Sequence, residues 1–406
     1  MKKTYYALIL LLALTGALLL AGCGGTDAPA EPIVVVEPTS EPTPVPTPPP
    51  TPAPTPAPTP EPTPEPTPPV TSVTLTGSGP EEVAALAQYP ALETVDASAS
   101  TAYLQLASLQ RHRPDCDVRY AVPFGTTEIA SGETEVALPA DCGVTIGELS
   151  EKLLWLPKLE KLDLTALDLG NDATAALESK YPSIAIRWTV RFGKWAVPND
   201  ATCFSTLQVF PPAYRYTDED FYPLLHYCRK LVALDIGHND VRDLTPIGEM
   251  TQLKVLIIGD NRNLTDISPL ANLVNLEYLE LFISSGIRDF SPLASLTKMV
   301  DLDVGFSGVT DISFIDTMPD LKMCWLPGAW VGQDQIDHAR ELHPDAEFMF
   351  YPKKISSTTE GWRMTDRNVE IRRAFANWWN VVEFRSWDDV EYVPDAWLVP
   401  VYPAWE

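Results

Sequence analysis

Residues 253–275 read LKVLIIGDNRNLTDISPLANLVN, and this stretch decides the fold. Leu253, Leu256 and Ile258 fall on one side of a short strand, while Ile257 between the last two turns outward. Asn261 follows where the strand bends, a place for a side chain that hydrogen-bonds backbone groups otherwise buried without partners. Thr265-Asp266-Ile267-Ser268-Pro269-Leu270 then opens a short helical or 3₁₀ turn, with proline where no donor is needed. The same unit precedes it at 231–252 (LVALDIGHNDVRDLTPIGEMTQ) and follows it at 276–298 (LEYLELFISSGIRDFSPLASLTK) and 299–320 (MVDLDVGFSGVTDISFIDTMPD). Asn239, Asn261, Ser284 and Ser307 hold the ladder position. No unit can bury its leucines alone, so the units must stack.

Four units in register resemble the 22-residue leucine-rich repeats of internalin-like bacterial surface proteins. The resemblance implies an α/β solenoid with one short parallel strand per turn, and adhesion or host contact as one role. Upstream the pattern is disguised. Pro157–Leu164 (PKLEKLDL) matches Pro90–Ala97 (PALETVDA), and Pro182–Gly193 (PSIAIRWTVRFG) matches Pro114–Gly125 (PDCDVRYAVPFG), at an offset of about 68 residues. Pro344–Tyr351 (PDAEFMFY) looks like a degenerate third copy. Strand cores are expected at Val73, Val95, Val118, Val136, Leu162, Ile186, Leu207, Leu234, Leu256, Leu279, Leu302, Cys324 and Phe348, a mean spacing of about 23 residues. Helical periodicity runs from Thr101 to His112 and from Asn171 to Tyr181. Residues 72–352 are therefore expected to form one continuous curved solenoid, least regular around the hairpin-prone stretch Gly125 to Leu138.

Lys2 and Lys3 before the apolar run Ala7–Ala21 have the order of an export signal, too short to span a membrane. Leu20-Ala21-Gly22-Cys23 resembles the lipobox of bacterial lipoproteins, which implies removal of residues 1–22 and a lipid on Cys23; an ordinary cleaved signal or an anchor helix is the alternative. Residues 23–71 carry nineteen prolines between Pro29 and Pro69, a composition for a disordered polyproline II tether, or alternatively an SH3-type ligand. Some 45 such residues reach roughly 140 Å if extended. Residues 353–406 leave the period and hold six of the eleven tryptophans. Thr365-Asp366 is placed to cap a helix through Arg372 to about Trp379, followed by extended segments. This Trp-rich tail reads as a C-terminal cap over the last strand edge, or as a sugar-stacking surface.

A net charge of −26, from 55 acidic and 29 basic residues, argues against a nucleic-acid partner. Cys116, Cys142, Cys203, Cys228 and Cys324 lack the spacing of a zinc site; at most Cys116–Cys142 or Cys203–Cys228 bridge neighbouring turns. His338 and His343 are five apart and cannot share a metal from one helix face. No GxSxG elbow, HExxH or phosphate loop is present, so the expectation is no enzyme, cofactor or metal. What remains is the concave face. Its outward stripe reads Asp96, Asp163, Asp235, Ile257, Glu280, Asp303 and Trp325, with Tyr278, Phe282 and Phe306 beside it. It is either a solvated face of an acidic protein or a recognition surface with aromatic anchors and acidic steering. The reading is a monomeric, lipid-anchored surface protein that binds a protein or glycan outside a bacterial cell. The alternatives are an envelope component holding a membrane protein of the same cell, and carbohydrate binding by the tail.

Overall fold

The computed structural model describes residues 68–77, 79–206, 212–350, 362 and 365–377. The export signal, Cys23, the proline-rich stretch, Leu207 and the tail tryptophans other than Trp362 lie outside the described residues.

The array strands are three residues long, and the middle side chain enters the core. In the first group, β1 (Ser72–Thr74), β2 (Thr94–Asp96) and β3 (Asp117–Arg119) pair in parallel, aligning Val73, Val95 and Val118. Helices α1 (Pro80–Ala85) and α2 (Tyr103–His112) return the chain between them. An antiparallel hairpin follows, β4 (Ala121–Phe124) with β5 (Thr127–Ala130). The second group repeats the plan: β6 (Glu135–Ala137), β7 (Lys161–Asp163) and β8 (Ala185–Arg187), linked through α3 (Ile146–Lys152) and α4 (Asn171–Lys180). Its hairpin is β9 (Thr189–Phe192) with β10 (Trp195–Pro198). Gly125 and Gly193, at φ of 56° and 50°, open the two-residue turns, a conformation that suits glycine at the first turn position.

The rest is one seven-stranded parallel sheet. It comprises β11 (Cys203–Ser205), β12 (Ala233–Asp235), β13 (Val255–Ile257), β14 (Tyr278–Glu280), β15 (Asp301–Asp303), β16 (Met323–Trp325) and β17 (Glu347–Met349). Phe204, Leu234, Leu256, Leu279, Leu302, Cys324 and Phe348 align across it. Its returns are α5 (Asp218–Tyr227), α6 (Thr245–Gly248), 3₁₀ turns at Ser268–Asn272, Ser291–Ser295 and Ser313–Thr317, and α7 (Gln333–Leu342).

The array strands fall into three parallel sheets, of three, three and seven strands, the first two being the long upstream repeats. The cause is a side chain standing where the next strand would be. Ser131 Oγ donates to the Val118 carbonyl at 2.8 Å and accepts from the Tyr120 amide at 3.1 Å, closing the edge of β3. Asn199 does the same beside β8, donating to the Ile186 carbonyl at 3.1 Å and accepting from the Trp188 amide at 3.0 Å. One apolar core nevertheless runs from Leu75 to Phe350, with the hairpin residues Val122, Phe124, Val190 and Trp195 inside it. Each large apolar side chain buried there contributes about 1.5–3 kcal/mol. One sequence expectation is corrected here: Cys116, Cys142, Cys203, Cys228 and Cys324 are all unpaired buried thiols, Cys203 on the outer sheet face and the other four in the core, so neither bridge forms.

The repeat's polar letters have specific jobs. Asn261 Nδ2 donates to the Ile258 and Ile236 carbonyls at 2.7 and 3.3 Å, and Oδ1 accepts from the Val241 amide at 2.9 Å. Asn239 bonds the turn above in the same way, and Ser307 Oγ substitutes for it two turns below Asn261 by donating to the Leu281 carbonyl at 2.7 Å. Asp243, Asp266, Asp289 and Asp311 each accept from the amide two residues on, at 2.8 to 2.9 Å, and so start the following turn.

Candidate functional site

The two outer residues of each array strand point away from the core, onto a second face. On the seven-stranded sheet that face is apolar at one side, with Cys203, Ala233, Val255, Ile257 and Tyr278 in contact. Across the neighbouring strands it carries Asp235, Glu280, Asp301 and Asp303. Strand alternation alone makes this arrangement, because the same sequence positions recur on adjacent strands in fixed register.

The face is occupied by the chain itself. Helix α8 (Asp366–Asn377) starts at Thr365, whose Oγ1 accepts from the Asn368 amide at 3.3 Å. Asn368, Ile371, Arg372 and Phe375 follow i, i+3, i+4, i+7 and make one stripe. Ile371 and Phe375, with Trp362 ahead of the helix, join the apolar patch of the sheet. The Trp362 ring lies 5.5 Å from that of Tyr278. Asn368 Nδ2 donates to the Tyr278 hydroxyl at 2.7 Å and to Glu280 Oε1 at 2.9 Å. Arg367 reaches Asp301 at 2.8 Å and Glu277 at 3.6 Å, and Arg372 reaches Glu280 at 3.8 Å.

This arrangement corrects the expected exposed stripe at five positions. Asp235, Ile257, Tyr278, Glu280 and Asp303 are all buried, because α8 and Trp362 cover the face they share. The described part of the tail lies on the outer sheet face; the rest of the expected cap lies outside the described residues. Asp96 and Asp163 belong to the two smaller sheets. Hydrogen bonds from Ser98 hold the Asp96 carboxyl below its ordinary range. For Asp163, burial pushes upward, but bonds from Thr165 and the Arg187 guanidinium outweigh it and leave the group low. Phe282 and Trp325 are half-buried and Phe306 is exposed.

The covered carboxylates are electrostatically unbalanced. Burial pushes Asp301 up to about 6, with Arg367 pulling the other way. Burial and the adjacent Glu280 raise Asp303 well above the carboxylate range, against one bond from the Gly305 amide at 2.8 Å. Burial raises Asp235 against the pull of Arg372 and of Ser205, whose hydroxyl donates at 2.7 Å. Asp260, at the strand ends, contrasts with these. Burial opposes its charge, yet His238, Arg262 and Arg215 at 3.1, 2.6 and 2.7 Å hold it down at about 2.

Beyond the strand ends runs a rim that the sequence reading caught only in part. His238, Asp260, Ile283 and Phe306 all adopt positive φ, between 56° and 61°, and Gly328 continues the series at 76°. Each of the four donates its amide to the next turn, His238 to Gly259 at 2.8 Å and Phe306 to Pro327 at 2.6 Å among them. Phe282 lies against Gly259 so closely that a Cβ there would meet the ring at 2.4 Å. Trp330, which the sequence reading passed over, is 82% exposed on the loop after β16. Arg367, Asn368 and Arg372 were also missed as face residues; their helical spacing was the available signal. Among the described residues no His, Cys, Asp and Glu grouping is arranged to hold a metal ion, and no helix is long and apolar enough to cross a membrane.

Residues 251–295 match the family of leucine-rich repeats, in two copies. No curated protein matches the chain. Among solved structures, an internalin from Listeria monocytogenes is 18% identical over 66% of this chain and 70% of its own, with a TM-score of 0.30. A leucine-rich-repeat protein from Leptospira interrogans is 14% identical over 67% of this chain and 74% of its own, with a TM-score of 0.26. The parallel strands that extend the matched repeats in register give the chain a leucine-rich-repeat fold, a type of scaffold that generally binds and does not catalyse.

Proposed function

We propose that this chain is an exported lipoprotein, anchored through Cys23 and raised on its proline-rich tether, whose repeats bind a protein ligand without catalysis. The observation that carries the reading is the rim: Phe282, Phe306 and Trp330 lie in the segments that follow the strands, on a hydrogen-bonded ladder. An indole left 82% exposed on such a support has the character of an interface anchor.

The test is site-specific crosslinking. The processed chain carries p-benzoylphenylalanine at Phe306 or Trp330, with Leu104 and Leu342, exposed on α2 and α7, as control positions. Irradiation is done on cells of the source bacterium and, separately, on host-cell surfaces. A discrete protein adduct from the rim positions alone supports the reading, and the cell type that yields it separates host contact from envelope assembly. Equal labelling from the controls, or adducts on glycan alone, overturns it.

A further inference from the structure

We infer that the cleft between α5 and α6, among the returns of the repeats, is a second binding site, and that it takes an arginine side chain carried by a peptide.

The cleft comes from a mismatch between two neighbouring returns. Helix α5 runs for ten residues and α6 for only four. Gly248 lets α6 approach the turn at Ser268–Asn272 so closely that a Cβ there would meet Pro269 at 2.7 Å. Against α5, on its other side, α6 leaves a space of about 600 Å³, a size that encloses a small ligand. Both ends of the space are clasped. At one, Asp218 accepts from the amides of Arg242 and Asp243 at 3.0 and 3.2 Å. At the other, the Arg229 guanidinium meets Glu249 at 2.6 Å. The helix between these ends rises roughly 15 Å, the span of a few residues of extended chain.

The wall supplied by α5 is an aromatic shelf. Tyr222 and His226, one turn apart, stack at 5.0 Å with their planes 15° apart. His226 stands edge-on to Tyr227 at 4.7 Å, and the Tyr227 hydroxyl is bonded to Asp172 on α4. The shelf is thus held from behind, while Tyr222 itself is 55% exposed to the cleft and solvent. Buried Leu225 adds an apolar floor.

Four carboxylates line the space against one guanidinium, so a cation is favoured. Asp218 and Asp243 serve backbone amides and Glu249 is engaged by Arg229. Glu219 meets no cation among the described residues, and it lies three positions before Tyr222, on the same face of α5. A guanidinium lying flat on the Tyr222 ring turns its edge to Glu219, so one planar group answers both the ring and the carboxylate. An ammonium answers the charge but not the shelf.

The experiment uses the chain from residue 23 onward with Cys23→Ser. The probes are acetyl-Gly-Gly-Arg-Gly-Gly-amide and its lysine and citrulline analogues, titrated by ligand-observed NMR. The arginine peptide should bind about tenfold more tightly than the citrulline peptide and about threefold more tightly than the lysine peptide. Glu219→Gln and Tyr222→Ala should each weaken the arginine peptide about tenfold. Both side chains are exposed, so the melting temperature should stay unchanged. Glu341→Gln, an exposed carboxylate on α7, is the control and should leave binding unaltered. No binding, or citrulline or lysine bound as tightly as arginine, overturns the inference. So does an equal loss in Glu341→Gln, the mark of diffuse attraction to an acidic protein, or an unaffected Tyr222→Ala. The rim crosslinking is read at other residues, so the two readings fail separately.

Discussion

A single asparagine shows how the ladder is held. Asn261 is fully buried, and its side chain serves carbonyls at Ile258 and Ile236 and the amide of Val241. Replacing it with alanine leaves these backbone groups without partners and without water, at about 1–3 kcal/mol for each uncompensated group. Asn261→Ala should therefore lower the free energy of unfolding by roughly 3 kcal/mol, read as a fall in the urea midpoint; a change under about 0.5 kcal/mol would mean that ordered water or a relaxed backbone takes over. This role was legible in the sequence because Asn239, Asn261, Ser284 and Ser307 recur at one position of every unit. The roles of Ser131 and Asn199 were not. Each acts once per long repeat, on backbone atoms of β3 and β8, and nothing in its immediate sequence distinguishes it from a loop residue.

At the scale of elements, periodicity located the strands well. Twelve of the thirteen expected core positions sit at the centres of strands. The thirteenth, Leu207, lies outside the described residues; the strand of that turn is centred on Phe204, which pairs with Leu234. Periodicity also told which residues leave the core, but not what covers them. The docking of α8 joins Asn368 to Tyr278 across the whole downstream array, and no local repeat encodes a contact of that span. That docking has a pH signature. Asp301, held by Arg367 and flanked by Tyr278 on β14 and Met323 on β16, rises to about 6 beneath the helix. Asp235 and Asp303 also rise. With α8 undocked the same carboxyls return toward about 3.9. Between about pH 4 and pH 6 the docked state thus holds a proton that the undocked state has released, so docking is favoured at acid pH and weakens as pH climbs through 6. Protection factors for the α8 amides should fall between pH 5 and pH 7.5, while those of β13 and β14 hold; α8 protection that is flat or rising with pH would contradict this linkage.

For the molecule as a whole, the proposed lipid anchor at Cys23 leads to a prediction independent of the repeats. Cys23→Ser should abolish labelling by a fatty-acid analogue; label that persists in the variant would count against a lipid on this cysteine. The upstream blocks add a property of another kind. Ser131 and Asn199 finish the backbone ladders of their own blocks, while the bonds that join the first block to the second run through its helix, turn and side chains, Tyr120 Oη donating to the Trp155 carbonyl and the Thr126 amide to the Cys142 carbonyl. The backbone ladder is thus closed off at two internal points, whereas from β12 to β16 every strand is bonded on both sides; the apolar core alone runs unbroken past all of them, so it, and not the ladder, makes the blocks one body.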